Sequence, residues 1–173
     1  MKSPSSGLKK CSLMYLVDTN IFLEVLLLQD RKEECENFLD LIRSGKKTGV
    51  VTDFTIHSII VIMYNLNRLK ELKIFLSSLT AYKGLHIYHT TITDEINAVE
   101  TALLQKLDMD DAIQYSTALS MQADAIISFD KHFNSLKIPR IDILDRQNNR
   151  RPNFQHQKLN SIEYSLYLTT LIN

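Results

Sequence analysis

The chain has 173 residues, of which 45% are hydrophobic, and its 20 basic side chains balance its 20 acidic ones. A chain of this length can bury most of its surface in one domain, so it does not depend on disulfides or a structural metal for its core. The zero net charge gives no general argument for a polyanionic partner, so a nucleic-acid function must be argued from a local site.

The two cysteines and the hydropathy pattern bear on the compartment. Cys11 and Cys35 have no metal-ligand spacing, and we expect them to be free thiols in a reducing environment. No apolar run approaches the roughly 20 residues that cross a bilayer. We therefore expect a cytoplasmic protein that does not contact a membrane.

Residues 1–13 are rich in Ser, Lys and Gly and are predicted to form a flexible leader. After this leader, short β-branched runs alternate with amphipathic helical patterns. Strands are predicted at 15–17, 49–52, 86–88, 125–128 and 140–143. Helices are predicted at 33–43, at 55–69, from Thr93 with Ile96, Val99, Ala102 and Leu103 on one face, and from Asp110. This alternation predicts an α/β fold with a mainly parallel sheet of about five strands flanked by helices.

The composition changes after Asp145 to a polar and basic stretch. We interpret residues 146–173 as a basic linker and a C-terminal appendage outside the main core. Within this appendage, residues 161–168 fit both a strand and a short helix, and periodicity does not separate the two. The predicted organisation is therefore a leader at 1–13, a domain at 14–145 and an appendage at 146–173.

Aspartates lie at the edges of several predicted elements. Asp18 follows the first strand, Asp130 follows the fourth, and Asp110 and Asp111 open a helix. Each of them has an ordinary explanation as a helix or turn cap. Together they favour a cation site, because doubly wound sheets bind ligands beyond the carboxyl ends of their strands. Mg²⁺ and Mn²⁺ prefer oxygen ligands, whereas carboxylates without a cation repel one another.

Other residues with functional chemistry have weaker cases. No predicted helix carries two histidines spaced so that both could bind one metal ion from the same face. We expect surface or helix-end positions without a catalytic role for all five, His57, His86, His89, His132 and His156. The chain contains no Gly-rich phosphate loop, no nucleophile elbow and no cysteine pair for zinc. Basic clusters at 46–47, 68–73 and 146–151 are typical of solvated faces and are also the best available phosphate contacts.

Three stretches of the chain together carry a family resemblance. They are Val17-Asp-Thr-Asn20, Asp111-Ala112 with Ala118 seven positions after Asp111, and Asp124-Ala-Ile-Ile-Ser-Phe-Asp130-Lys-His-Phe133. With these motifs the chain resembles the PIN-domain family, including VapC-type toxins, over residues 14–145. The resemblance implies a three-layer α/β/α form of the fold predicted above.

The resemblance also implies an activity, a cofactor and partners. It implies a Mg²⁺- or Mn²⁺-dependent endoribonuclease that leaves a 5′-phosphate, with Asp18, Asp111 and Asp130 as catalytic, metal-binding residues. The residues implied or considered as support are Asn20, Ser128, Asp110 and Ser58, and Asp110 is the less favoured ligand. VapC-type proteins often dimerise and bind a small antitoxin that covers the acidic pocket. The apolar residues at 162–171 are candidates for such contacts or for packing on their own domain.

One position departs from the family pattern. PIN nucleases usually carry a fourth acid, a glutamate on the helix after the second strand, and aligning Thr52 with the family's Ser or Thr places Ser58 there. Serine supplies no negative charge, so we expect weaker attraction for a dication. The first hypothesis is a ribonuclease, as in the toxin of a toxin–antitoxin pair. The alternatives are a catalytically weak or inactive PIN domain that binds RNA or protein and, third, a small-molecule-binding α/β domain.

Overall fold

The computed structural model describes residues 13–143. Its strands are β1 (Met14–Val17), β2 (Thr48–Thr52), β3 (Leu85–Tyr88), β4 (Ala125–Ile127) and β5 (Arg140–Ile141). They form one sheet in the order β3-β2-β1-β4-β5, and all neighbouring pairs are parallel. The predicted α/β class and parallel sheet are confirmed. Almost all of the predicted leader and the whole of the 146–173 segment lie outside the described residues.

Helices connect successive strands in the described part of the chain. They are α1 (Thr19–Leu26), α2 (Lys32–Arg43), α3 (Asp53–Asn65), α4 (Leu69–Leu79), α5 (Ile92–Gln105) and α6 (Met109–Ser120), with a 3₁₀ helix at Lys131–Ser135. The single helix predicted over 55–69 is wrong at its C-terminal end. The helical conformation is interrupted after α3 because Asn67 adopts a left-handed backbone conformation with φ of 57°, and a separate helix, α4, follows.

The sheet separates two apolar layers, because successive side chains of a strand point to opposite faces. Tyr15 and Val17 of β1 pack in one core with side chains of α1, α2, α3 and α4. Leu16, which lies between them, packs on the other side with Tyr115 of α6 and Phe133 of the 3₁₀ helix. This arrangement produces the three-layer α/β/α architecture, with the central strands β1 and β4 covered on both faces.

Helix α5 exposes the apolar face that periodicity assigned to it. Its buried side is formed around Ala98, which packs with Ala112 and Ile113 of α6. Ile96, Val99 and Leu103, predicted to share one apolar face of this helix, are exposed, as is Ile92. The helix is therefore amphipathic in the predicted sense, but its larger apolar side chains do not belong to the core of the described domain.

The strand order changes direction at β1. The chain proceeds from β1 outward to β2 and β3, then crosses back to place β4 and β5 on the other side of β1. Such a switch point opens a crevice at the carboxyl ends of the two strands that flank it, here β1 and β4. Among the described helices, none is both long enough and apolar enough to cross a membrane.

Candidate metal-dependent active site

Asp18 lies in the crevice because it directly follows β1. Its N–H donates to the carbonyl of Ile127 at 3.0 Å, which extends the β1–β4 ladder by one residue. Although Asp18 occupies the N-cap position of α1, its side chain makes no capping hydrogen bond. Its Oδ2 instead accepts hydrogen bonds from Ser128 Oγ and Asn20 Nδ2, both at 2.5 Å. The sequence-predicted support residues Asn20 and Ser128 therefore contact Asp18 directly.

Asp130 is placed by the loop after β4. Its N–H donates to Ser128 Oγ at 2.8 Å, so one hydroxyl contacts both Asp18 and the backbone of Asp130. Arg140 Nη1 donates to the Ser128 carbonyl at 2.8 Å and holds the same loop from β5. Asp130 Oδ1 also accepts from the His132 N–H at 2.9 Å, which caps the 3₁₀ helix as its position in the sequence predicted.

Asp111 is placed by the N-terminus of α6. The cap of this helix is Asp108, whose Oδ1 accepts from the Asp111 N–H at 3.0 Å; the prediction that the helix begins at Asp110 is displaced by one residue. Asp110 and Asp111 both lie in the first turn. Because Asp108 performs the capping, the Asp111 carboxylate is not needed as the cap, and its Oδ2 contacts His132 of the 3₁₀ helix.

His132 joins the cluster, although its sequence spacing predicted a surface position without a site role. Its side chain is 55% exposed, yet its Nδ1 lies 3.2 Å from Asp111 Oδ2 and 3.2 Å from Asp130 Oδ1. Asp111, Asp130 and His132 each offer one potential ligand atom, and these three atoms lie within 4.8 Å of one another. The sequence signal for this contact is the capping turn at Asp130, which fixes the backbone of His132 two residues later.

Gln114 of α6 adds an amide to the cluster that sequence reasoning missed. The side chain is 1% exposed, and its Nε2 donates to Asp110 Oδ1 at 3.3 Å. Its Oε1 is buried without a hydrogen-bond partner, as are Asn20 Oδ1 and Thr19 Oγ1 beside Asp18. Buried oxygens without partners are costly unless a cation or a water molecule satisfies them. This donor set of carboxylate, amide and hydroxyl oxygens fits a hard dication and its water ligands.

The electrostatics of the cluster agree with that donor set. Burial raises the pKa of Asp18, and hydrogen bonds from Ser128 and Gln114 oppose the rise. Burial, reinforced by the charges of Asp108 and Asp18, raises the pKa of Asp111 to about 9. Burial and the charge of Asp18 likewise raise the pKa of Asp110 to about 7. The acids lie close enough to destabilise one another as anions, which is the situation that a bound dication relieves.

Ser58 lies buried in α3, the helix that follows β2, and its hydroxyl adds no negative charge to the molecule. The nearest acid in sequence, Asp53, is engaged elsewhere. Its Oδ1 accepts from the N–H of Thr90 at 3.2 Å and from the Thr90 hydroxyl at 3.0 Å. Asp53 thus anchors the loop that leads into α5. Burial is the largest single influence on the Asp53 pKa and raises it, but the hydrogen bonds together outweigh burial and lower the pKa.

Comparison with known families identifies the class of protein. The sequence profile of the PIN domain matches residues 15–139, which is well over half of the chain. The chain therefore belongs to the PIN-domain family, as its three aspartate motifs indicated. No curated protein matches the chain at a significant level.

Several solved structures with a similar fold are described as toxins or toxin–antitoxin complexes. A toxin–antitoxin complex from Klebsiella pneumoniae superposes with a TM-score of 0.57 at 19% identity, covering 75% of this chain and 97% of that one. VapC20 from Mycobacterium tuberculosis, a sarcin–ricin-loop-cleaving toxin, gives 0.58 at 14% identity, covering 72% and 95%. VapBC2 from Rickettsia felis, bound to a promoter DNA fragment, gives 0.56 at 14% identity, covering 75% and 98%. At these identities the likeness establishes the fold.

The raised pKa values predict how stability depends on pH without metal. For Asp111, the ordinary pKa is 3.8 and the folded-state pKa is about 9. Between these values the folded state retains a proton that the unfolded state has lost, so the free energy of unfolding falls as pH rises. Asp111→Asn removes this effect. We expect it to raise the Tm of the EDTA-treated protein near pH 8 by at least about 2–4 °C and to flatten the decline with pH.

The measurement is a series of calorimetric melts from about pH 5 to about pH 9, which spans most of the window between the two pKa values. Asp40→Asn is the matched control, because Asp40 is exposed on α2 and pairs with Arg43 at 2.8 Å. The control should follow the wild-type profile. An Asp111→Asn protein that is less stable than wild type near pH 8 would contradict the electrostatic account.

Proposed function

We propose that the protein is a divalent-metal-dependent endoribonuclease with Asp18, Asp111 and Asp130 as its catalytic, metal-binding residues. The observation that carries this proposal is the convergence of acids from three distant stretches at the switch point of the sheet. Asp18 and Asp130 share the Ser128 hydroxyl, and the charges of both raise the pKa of Asp111. The PIN-domain match supports a nuclease, and the oxygen-rich donor set supports Mg²⁺ or Mn²⁺.

The side chains of this chain have distinct roles in the proposed reaction. Asp18, Asp111 and Asp130 would hold the cation, which supplies an activated water and neutralises charge on the scissile phosphate when bound. Ser128 and Asn20 orient the Asp18 carboxylate by donating to its Oδ2. Arg140 keeps the loop from Ser128 to Asp130 in place through the Ser128 carbonyl. Asp110 and Gln114 hydrogen-bond each other at the edge of the cluster and support it.

RNA is the substrate class that we propose. The resemblance to VapC-type toxins supports it, and so does the fold shared with VapC20, which cleaves the sarcin–ricin loop. Exposed basic side chains on the described surface, such as Lys46, Lys70 and Lys73, are available as phosphate contacts. We further propose residues 14–145 as the catalytic domain and the cytoplasm as its compartment.

Cleavage of RNA should require both the cation and Asp18. Purified protein is expected to cut single-stranded or structured RNA with Mg²⁺ or Mn²⁺ and to be inactive in EDTA. Asp18→Asn, which preserves shape and removes charge, should reduce the cleavage rate by on the order of 100-fold or more, because even the support of a metal ligand is worth 10–100-fold. The measurement is a time course with end-labelled RNA, in which the fragment downstream of each cut should carry a 5′-phosphate and the upstream fragment a 3′-hydroxyl.

The control for this experiment is again Asp40→Asn, which removes an exposed carboxylate of the same size from α2. It should cleave RNA at the wild-type rate. Circular dichroism should show the same secondary structure in all three proteins. Equal cleavage by wild type and Asp18→Asn would remove the proposed mechanism, and a folded wild type that binds metal without cleaving would favour an inactive binding domain.

We propose that the physiological partner is a small antitoxin protein. The similar structures from Klebsiella pneumoniae and Rickettsia felis are toxin–antitoxin complexes, which supports such a partner. The acidic crevice offers a chemical basis for inhibition, since a basic side chain of the partner would satisfy the carboxylates in place of a metal ion. In this proposal the partner blocks the site by occupying it.

We also propose a homodimer formed through α5. Its exposed apolar stripe follows helical spacing at Ile92, Ile96, Val99 and Leu103, and Leu103 is 77% exposed. An apolar stripe of this kind on a helix is typical of an interface. The opposite side of α5 is anchored on α6, where Ser116 Oγ donates to Thr101 Oγ1 at 3.0 Å, so the stripe is held rigidly outward.

A charge on this stripe should separate the two copies. Leu103→Glu is expected to convert a dimer into a monomer, because burying a carboxylate in an apolar interface costs more than the interface gains. The measurement is the molar mass from size-exclusion chromatography with light scattering. Ile74→Glu on α4 is the control, since Ile74 is also exposed and apolar, and it should leave the dimer intact. A monomeric wild type would contradict the homodimer.

A further inference from the structure

His132 occupies a position between two proposed metal ligands. Its Nδ1 lies 3.2 Å from a carboxylate oxygen of Asp111 and 3.2 Å from one of Asp130. We propose that His132 is itself a ligand of the catalytic cation, through Nδ1, and that this nitrogen gives the site a preference for Mn²⁺ over Mg²⁺. This inference rests on the proposed function and specifies the ligand set of the same site.

The backbone holds the imidazole where a ligand is needed. The His132 N–H donates to Asp130 Oδ1 at 2.9 Å, so the capping turn fixes the backbone of His132, and the ring Nδ1 lies 3.2 Å from the same oxygen. A neutral imidazole with its proton on Nε2 presents a lone pair at Nδ1, the atom that faces both acids. The side chain is 55% exposed, so Nε2–H can remain hydrated and burial does not oppose the arrangement.

A second observation points to a ligand at this cluster. Gln114 is 1% exposed, its amide nitrogen contacts Asp110, and its Oε1 is buried without a partner. Burial raises the pKa of Asp18, and a hydrogen bond from the Gln114 amide opposes that rise. The amide nitrogen contacts the acids, while the amide oxygen of the same side chain is a buried acceptor without a donor. The cluster therefore holds more electron-pair donors than hydrogen atoms to satisfy them, which is the composition of a cation site.

The departure at Ser58 explains why a nitrogen ligand would matter here. Without a fourth carboxylate at that position, attraction of the site for a dication rests on fewer negative charges. An imidazole restores a donor atom without restoring charge. Mg²⁺ gains little from such a donor because it favours oxygen ligands, whereas Mn²⁺ belongs to the transition-metal series whose ions bind nitrogen more readily. The exchange of an acid for an imidazole therefore shifts preference toward Mn²⁺.

The competing explanation is that His132 only bridges the carboxylates as a hydrogen-bond donor. The two roles differ in what the bound ion experiences. A ligand places nitrogen directly on the metal, and its loss weakens Mn²⁺ binding more than Mg²⁺ binding. A bridging donor places no nitrogen on the metal, and its loss affects the two ions alike.

The test measures metal binding rather than cleavage. The full chain and His132→Ala are titrated with MnCl₂ and with MgCl₂ by calorimetry, and the Mn²⁺ complexes are examined by electron spin-echo envelope modulation for coupling to ¹⁴N. We expect His132→Ala to weaken Mn²⁺ binding by about tenfold or more, as for loss of a metal-site contact. Mg²⁺ binding should change by less than about twofold, since Mg²⁺ gains little from nitrogen. The ¹⁴N coupling should be present in wild type and absent in the variant.

His86→Ala is the matched control, because His86 is exposed on β3, two strands away from β1 in the sheet. It should retain both affinities and the nitrogen signal. A wild-type Mn²⁺ complex without ¹⁴N coupling, or an equal loss of both ions in His132→Ala, would overturn the role of His132 while leaving the metal-dependent nuclease intact. Failure of wild type to bind either ion would overturn both proposals.

Discussion

The Ser128 hydroxyl is the contact on which the site depends. It donates to Asp18 Oδ2 and accepts from the N–H of Asp130, so it joins the ends of two adjacent parallel strands. The strands bring these residues together because β1 and β4 are neighbours at the point where the strand order reverses. Helix α6 packs across the same strands and adds Asp111. The strand order brings Asp18 and Asp130 together, and the Ser128 hydroxyl fixes the Asp18 carboxylate relative to the backbone of Asp130.

The cluster illustrates how a functional site departs from what stability alone favours. Buried acids with mutually raised pKa values cost folding free energy at neutral pH, and a sequence selected only for stability would place neutral side chains there. Here the cost falls on Asp18, Asp110 and Asp111, all of which have raised pKa values. Buried apolar side chains pack on both faces of the sheet, and their burial offsets that cost.

Much of the fold could be predicted from sequence, because apolar β-branched runs mark buried parallel strands and an Asp after a strand marks the functional edge. The features that could not be predicted are those that depend on neighbours in three dimensions. Three acids near the start of α6 all suit an N-cap, and only packing selects Asp108. Periodicity found the apolar stripe of α5 but not whether it is covered. The contact of His132 with Asp111, 21 residues away, needs the fold itself, and so does Gln114, which resembles an ordinary helical residue in sequence.

The proposed nuclease activity requires that Asp18, Asp111 and Asp130 share one cation. Anomalous diffraction from crystals grown with MnCl₂, recorded at the manganese absorption edge, tests it most directly. We expect an anomalous peak in the crevice between β1 and β4, with carboxylate oxygens from all three aspartates at bonding distance from the ion or from its bound waters. A crystal that shows no peak there, or a peak held only by acids outside this crevice, would contradict it.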